Sequence, residues 1–239
     1  MNRILSAKNN ENPPAYEGVI PLLSIIIPVF NDARRLSALL PDLCRLQDTE
    51  IIIVDGGSSD DLLNLAGKHS LLVLSAEQGR GQQLAVGVGA SRGEWLWFLH
   101  ADSRLEVSRA QQCIVGQNPG WGRFHVRIDG QKLVSWFMNQ RSCISGICTG
   151  DQGMYVHRNW LKRAGGMPAQ SLMEDIELSK RLRRLGRPEC LREPVVTDGR
   201  RWRERGTLRC ILEMWWLRIR YFLGADPEQL ASAYYRPLQ

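Results

Sequence analysis

Residues 50–61 are E-I-I-I-V-D-G-G-S-S-D-D, and the architecture of the chain turns on how they are understood. Ile51 to Val54 form an apolar, β-branched run with no polar alternation, which suits a strand buried on both faces of a parallel sheet. Asp55 stands at the end of that strand. The glycines and serines after it make a turn that lets the backbone approach a ligand closely, or lets Ser58 or Ser59 cap the next helix. Upstream, "LLSIIIPVF" (22–30) is a second such run, followed by helix-like "DARRLSALLPDLCRL". Downstream come a short helix, strand "LLVLSA" (71–76), helix "QQLAVGVGASR" (82–92) and strand "EWLWFL" (94–99). Strands alternating with helices predict right-handed βαβ units in a doubly wound α/β sheet. Ligands of such sheets sit at the carboxyl ends of the strands, where Asp32, Asp55 and Asp102 stand.

After about residue 120 the regularity weakens. "WGRFHVRIDG" alternates like a strand, "KLVSWFMNQRSCISG" has the character of a helix, "QGMYVHR" is a strand, and "EDIELSKRLRRLG" is a helix stopped by Gly186 and Pro188. No linker or repeat divides the chain. The simplest parse is a flexible tail over 1–20, one domain over 21–205 with a nucleotide-type half (21–105) and a second half (106–205), and amphipathic helices over 206–239 packed on that domain.

The 239 residues, 44% hydrophobic, suffice for a sizeable core. A net charge of +6 favours acidic ligands or surfaces and is too small to indicate nucleic acid. The six cysteines are scattered without a C-x-x-C pair, so they are expected to be mostly buried, reduced thiols. No signal-peptide h-region or 18-residue apolar run is present, which predicts a cytoplasmic protein with at most peripheral membrane contact.

Several stretches carry candidate chemistry. In "FLHADSRL", Asp102 follows a buried strand, where it could hold Mg²⁺ or Mn²⁺ jointly with substrate phosphates, with His100 a weaker second ligand. The alternative is that Asp102 and Ser103 cap the next helix. The glycines of "QGRGQQLAVGVGASRG" are misplaced for a dinucleotide fingerprint, yet Arg80 among them suits a diphosphate as well as a solvated loop. Glu174 and Asp175 open a helix, where the dipole favours charged acids; they are either caps or, facing a cleft, a general base. Between Gly199 and Gly224, Leu208, Ile211, Leu212, Trp215, Ile219, Phe222 and Leu223 recur at helical spacing beside arginines. Packing of this stripe on its own domain is the favoured expectation, and a membrane surface through 206–223 the alternative.

Together, "SIIIPVFND", "IIIVDGGSSDD", "GEWLWFLHADSRL" and "MEDIELSKRLRRLG" resemble, in order and spacing, the family-2 glycosyltransferases of GT-A fold. The blocks "WGRFHVRIDG", "GICTGDQGMYVHR" and "GRRW" look most like a bacterial subgroup linked to arsenosugar biosynthesis alongside radical-SAM enzymes. The resemblance implies a mostly parallel central sheet with helices on both faces and a C-terminal helical extension. It also implies an inverting, metal-dependent transfer from a nucleotide-diphosphate sugar to a small-molecule or lipid-linked acceptor. On the donor side it places Pro28, Phe30, Asp32, Asp55, Arg80, Gly81 and Asp102; on the acceptor side Asp151, Gln152, Glu174, Arg201 and Trp202; and Asp175 falls on the catalytic base. Asp102 matches the last acid of the metal-binding D-x-D, whose first acid is here His100. Gly56 stands where the family's "VDDGS" carries an acid. A sugar-1-phosphate nucleotidyltransferase, which would want a basic glycine-rich turn where this chain has "PVFNDARR", and a basic membrane-binding protein are the rival readings.

Overall fold

A computed structural model describes residues 5–6 and 20–234. Eight strands form one sheet in the order β1-β4-β3-β2-β5-β7-β6-β8: β1 Leu5–Ser6, β2 Leu23–Val29, β3 Thr49–Asp55, β4 Leu72–Ser75, β5 Trp95–Phe98, β6 Trp121–Ile128, β7 Tyr155–His157 and β8 Glu189–Thr197. All neighbouring pairs run parallel except those that β7 makes with β5 and β6. Apart from Leu5–Ser6 and Ile20, the tail expected over 1–20 lies outside the described residues.

Successive side chains of a strand point to opposite faces, and each face is covered. Ile25, Ile27, Ile53 and Trp97 pack beneath α1 (Ala33–Leu43), α2 (Leu62–Lys68) and α4 (Val107–Val115). Ile26, Ile52, Val54, Leu96 and Phe98 pack beneath α3 (Arg80–Ala90), α6 (Arg158–Arg163) and α7 (Glu174–Leu182). The unbroken apolar runs of β2, β3 and β5 are thus explained by burial on both sides. Pro28, without an N–H, is tolerated in a central strand because β2 pairs with β5 only as far as Ile26. The sheet opens there, at the carboxyl edge.

The second half departs from simple patterning. The helix α5 (Lys132–Ser145) buries Ser135, Asn139 and Ser142 and exposes Leu133, Trp136, Phe137 and Ile144. Its inward face is polar because β6 offers unpaired backbone. Asn139 accepts from Val126 N–H and donates to Val126 C=O, both at 2.9 Å, and Ser135 accepts from Ile128 N–H. A third apolar cluster joins Met173 and Ile176 of α7 to Leu217 of α9 (Thr207–Phe222) and Leu230 of α10 (Pro227–Tyr234).

Two expectations are corrected. The apolar stripe of α9 does not pack on its own domain: the helix docks through Cys210 and Leu217, whereas Leu208, Leu212, Trp215, Ile219, Phe222 and Leu223 are 55% to 82% exposed. The docking side is the one that also carries Glu213 and Tyr221, whose ion pair and hydrogen bonds tie the helix down. Nor are the cysteines mostly buried thiols. Cys143 and Cys190 are joined in a disulfide, Cys44 is exposed, and Cys148 and Cys210 alone are fully buried.

Candidate active site

A cleft of about 730 Å³ opens at the carboxyl edge of the sheet. Pro28, Phe30 and Asp32 line it from the end of β2, Arg80 from the first turn of α3, and His100 and Asp102 from the end of β5. Arg201 reaches it from α8 (Arg200–Arg205), and Glu228 and Ser232 from α10. The loop after β2 is fixed by Asn31, a non-glycine residue in the left-handed region at φ 51°. Its N–H donates to Ser58 Oγ at 2.9 Å and its Oδ1 accepts from Ser59 N–H at 2.8 Å, so these serines position a loop and do not cap α2. Asp55 accepts from the N–H groups of Gly57 and Ser58 in the same turn.

Negative charge gathers around Asp102. Burial first, and then the carboxylates of Asp151 and Asp32, raise its pKa above the ordinary carboxylate value. His100 Nδ1 lies 3.3 Å from Asp151 Oδ1, and its Nε2 is buried without a partner. Burial, aided by the nearby Arg80 charge, holds the imidazole well below its usual pKa, so the ring is neutral at pH 7. Neither Asp102 nor Ser103 caps α4, whose N-cap is Glu106; Ser103 Oγ instead accepts from His100 N–H.

The second acidic group lies at the start of α7. Met173, buried and left-handed at φ 64°, turns the chain into the helix so that Glu174 and Asp175 diverge. A left-handed non-glycine residue costs about 1–3 kcal/mol and persists only where its surroundings over-determine it. Glu174 is buried against Arg80 Nε at 3.3 Å. Asp175 stays half-buried, and its Oδ2 accepts the N–H of Gly150 at 2.9 Å. Gly150 belongs to a 3-10 turn, Gly150–Gln152, and has no room for a side chain because the Arg80 guanidinium lies against it.

The structure therefore brings Asp32, Arg80, His100, Asp102, Asp151, Glu174 and Asp175 together, and separates others. Gly81 packs against the backbone of Pro168 and Gln170, where a Cβ would clash, and is not among the residues lining the cleft. Gln152 is fully buried and donates to Ser142 Oγ. Asp55 and Trp202 do not line the cleft, and Asp151, Glu174 and Asp175 stand behind its lining, Asp151 against His100, Glu174 against Arg80 and Asp175 against Gly150. Sequence reasoning missed Gln83, whose amide donates to the carbonyls of Val29 and Val54 at 2.8 and 2.7 Å and floors the cleft. It also missed Asp198, which follows β8 as Asp102 follows β5 and pairs with Arg35 and Arg203. The strand-end rule that found Asp102 would have found Asp198, had β8 been recognised.

The donor set fits a divalent metal shared with a diphosphate and does not fit an all-protein cage. Among the described residues no group of three or more histidine, cysteine or acidic side chains is poised to hold an ion. Yet Asp102 supplies a carboxylate in an acid-rich pocket, and His100 a neutral nitrogen with no partner, a mixture that Mn²⁺ tolerates better than Mg²⁺ does.

Residues 24–114 match the family described as Glycosyl transferase family 2. The matched segment runs from β2 through α4, so it contains Asp32, Arg80, His100 and Asp102, while Asp151, Glu174 and Asp175 lie beyond it. A PGL/p-HBAD biosynthesis glycosyltransferase from Mycobacterium bovis is 37% identical over 94 residues, 36% of this chain and 37% of that one. The beta-monoglucosyldiacylglycerol synthase of Trichormus variabilis is 26% identical over 92% of this chain and 56% of its own. The chain thus spans from about a third to just over half of the length of these curated relatives. Among solved structures, a mannosyltransferase from Pyrobaculum calidifontis in complex with GDP-Man and Mn²⁺ superposes with a TM-score of 0.57 at 17% identity, covering 75% of this chain and 57% of that one. The glucosyl-3-phosphoglycerate synthase of Mycobacterium tuberculosis, in complex with Mn²⁺, UDP and glucosyl-3-phosphoglycerate, gives 0.54 at 17%, covering 74% and 71%. The fold is the GT-A fold of these glycosyltransferase structures.

Proposed function

We propose that this protein is an inverting glycosyltransferase that moves a sugar from a nucleotide-diphosphate donor to a hydroxyl acceptor. The observation that supports the reading is a cleft at the carboxyl edge lined by Asp102 and Arg80, with His100 on its wall against Asp151 and, next to Asp151, the Gly150 N–H that holds Asp175. A divalent metal bound by Asp102, with His100 nearby, would offset charge on the leaving diphosphate. Arg80, on the same wall, adds a fixed positive charge to the diphosphate side. Gly150 N–H orients the Asp175 carboxylate, which takes the acceptor proton as the hydroxyl attacks the anomeric carbon. Arg201, which lines the cleft while pairing with Glu213, contributes to enclosing the substrates.

The test is a thermal-shift screen of nucleotide sugars with Mn²⁺ or Mg²⁺, followed by transfer assays on Asp175→Asn. Donor binding retained with turnover reduced about 10²–10⁴-fold is the expected result. Undiminished turnover removes Asp175 from the role of base. A nucleotidyltransferase is not favoured, since the left-handed Asn31 and the Asp32–Arg35 ion pair occupy the turn where it needs a basic glycine-rich loop. The arsenosugar subgroup rests on the sequence blocks that suggested it.

The exposed faces of α5 and α9 fit an anionic membrane surface. Trp136, Phe137, Trp215, Trp216 and Phe222 stand exposed beside Lys132, Arg209 and Arg220 in a chain of net charge +6. No helix among the described residues is long and apolar enough to cross a membrane. This contact would deliver a lipid-linked acceptor. Sedimentation with phosphatidylglycerol vesicles is expected to capture the wild type and to lose Trp215→Asp. Self-association without vesicle binding would give the face to a second copy of the chain instead.

A further inference from the structure

Two arginines beyond the cleft make no ion pair with any acid among the described residues. The side chains of Arg141 of α5 and Arg218 of α9 form no hydrogen bond there either, and Nε and Nη2 of Arg141 and Nε of Arg218 are out of solvent without a partner. The elements that carry them converge. Gln131, just before α5, accepts from Thr207 Oγ1 at the start of α9. Ser142, the neighbour of Arg141, binds Gln152 of the Gly150–Gln152 turn, and Leu217, the neighbour of Arg218, packs on Ile176, the neighbour of Asp175. Burial, and after it the charge of Arg218, pulls Arg141 down to about 10, while Asp175 acts favourably on both and Asp151 on Arg218.

Cations taken out of solvent without a directly paired anion cost stability, and a ligand can supply that anion. We propose that Arg141 and Arg218 bind an anionic oxygen group, a phosphate or carboxylate, carried by the acceptor, and thereby set its hydroxyl at Asp175. This rests on the reading of Asp175 as the base. The fork of each guanidinium suits such a group.

The experiment measures binding of inorganic phosphate, glycerol 3-phosphate and phosphatidic acid vesicles to the full chain, with UDP plus Mn²⁺ titrated separately. The proteins are wild type, Arg141→Gln, Arg218→Gln and the charge-conserving Arg218→Lys. Phosphate is expected to stabilise the wild type against heat, to bind together with UDP, and to bind at least about tenfold more weakly to each variant, while UDP affinity changes less than about twofold. Removing one of two like charges should also leave the phosphate-free variants at least as heat-stable as the wild type. Arginine-dependent binding of glycerol 3-phosphate identifies a soluble acceptor, and arginine-dependent binding of the vesicles alone identifies a lipid headgroup; both support the site. Equal phosphate binding by wild type and variants overturns it. Displacement of phosphate by UDP, with UDP binding lost in the variants, also overturns it and assigns the pair to the leaving diphosphate. Should phosphate bind through the arginines while no nucleotide binds at all, the anion site stands and glycosyl transfer falls.

Discussion

Arg80 and Glu174, ninety-four positions apart in sequence and each in the first turn of its helix, meet at 3.3 Å behind the wall of the cleft that Arg80 lines. Burial outweighs the attraction of the arginine and raises the pKa of Glu174 to about 7, with Asp175 adding repulsion. A native-state pKa above the unfolded one means that the folded chain binds the extra proton. Stability from this group is full below about pH 4.5 and is lost as pH rises toward 7. Glu174→Gln, which keeps the shape and drops the charge, is expected to flatten that decline, checked by comparing urea midpoints of the two proteins at pH 5 and pH 8.

Glu177 has the opposite sign. Despite partial burial, hydrogen bonds from Lys180, Arg181 and Tyr221 hold its carboxyl down to about 2. Its contribution is present above about pH 4.5 and disappears as pH falls toward 2. Because the Tyr221 bond ties α9 to α7, acid should loosen α9 before the sheet melts. Glu177→Gln should lose about 1 kcal/mol, a modest figure because the group is partly solvated. Tryptophan emission of Trp215 and Trp216 during acid titration, in both proteins, would reveal the early step; coincident loss of α9 and the core would argue against it.

Asp102→Ala tests the metal assignment. Calorimetry with UDP is expected to show tighter binding with Mn²⁺ for the wild type and no response to Mn²⁺ for the variant. If Asp102→Ala responds to Mn²⁺ as the wild type does, the ion is held elsewhere.

Gly81 belongs to packing rather than to the donor. A Cβ there would lie 2.2 Å from the carbonyl of Gln170 and 2.8 Å from that of Pro168, both backbone atoms. Gly81→Ala should destabilise the fold by about 1–3 kcal/mol, as overpacking does, and affect UDP affinity only through that loss. A variant of unchanged melting temperature and weakened UDP binding would restore Gly81 to the donor site.

The parallel half of the sheet was legible because Ile25–Ile27, Ile51–Val54 and Trp95–Phe98 are buried on both faces, and such runs leave an unambiguous trace. So were Asp32 and Asp102, as strand-end acids. The second half hid its logic in side chains that act against type. In β8, Arg192, Glu193 and Pro194 interrupt the apolar pattern, and the register shifts opposite Phe124 and His125. In α5 and α9 the inward face is held by polar groups or a few apolar ones, so the larger apolar stripe marks the outside. Gln83, Arg141 and Arg218 sit mid-helix, where a polar residue ordinarily faces water, and only the packing reveals that these do not.

Gln83 also accounts for the glycine at position 56. Its amide spends both protons on Val29 and Val54, and a Cβ at Gly56 would come within 3.1 to 3.3 Å of that amide group. A side chain at 56 therefore requires the glutamine to give way by a few tenths of an ångström, and a smaller residue at 83 would leave two strand carbonyls bare until something else covers them. The two positions are coupled, so the floor of the cleft changes as a unit and a substitution at either one is read through the other.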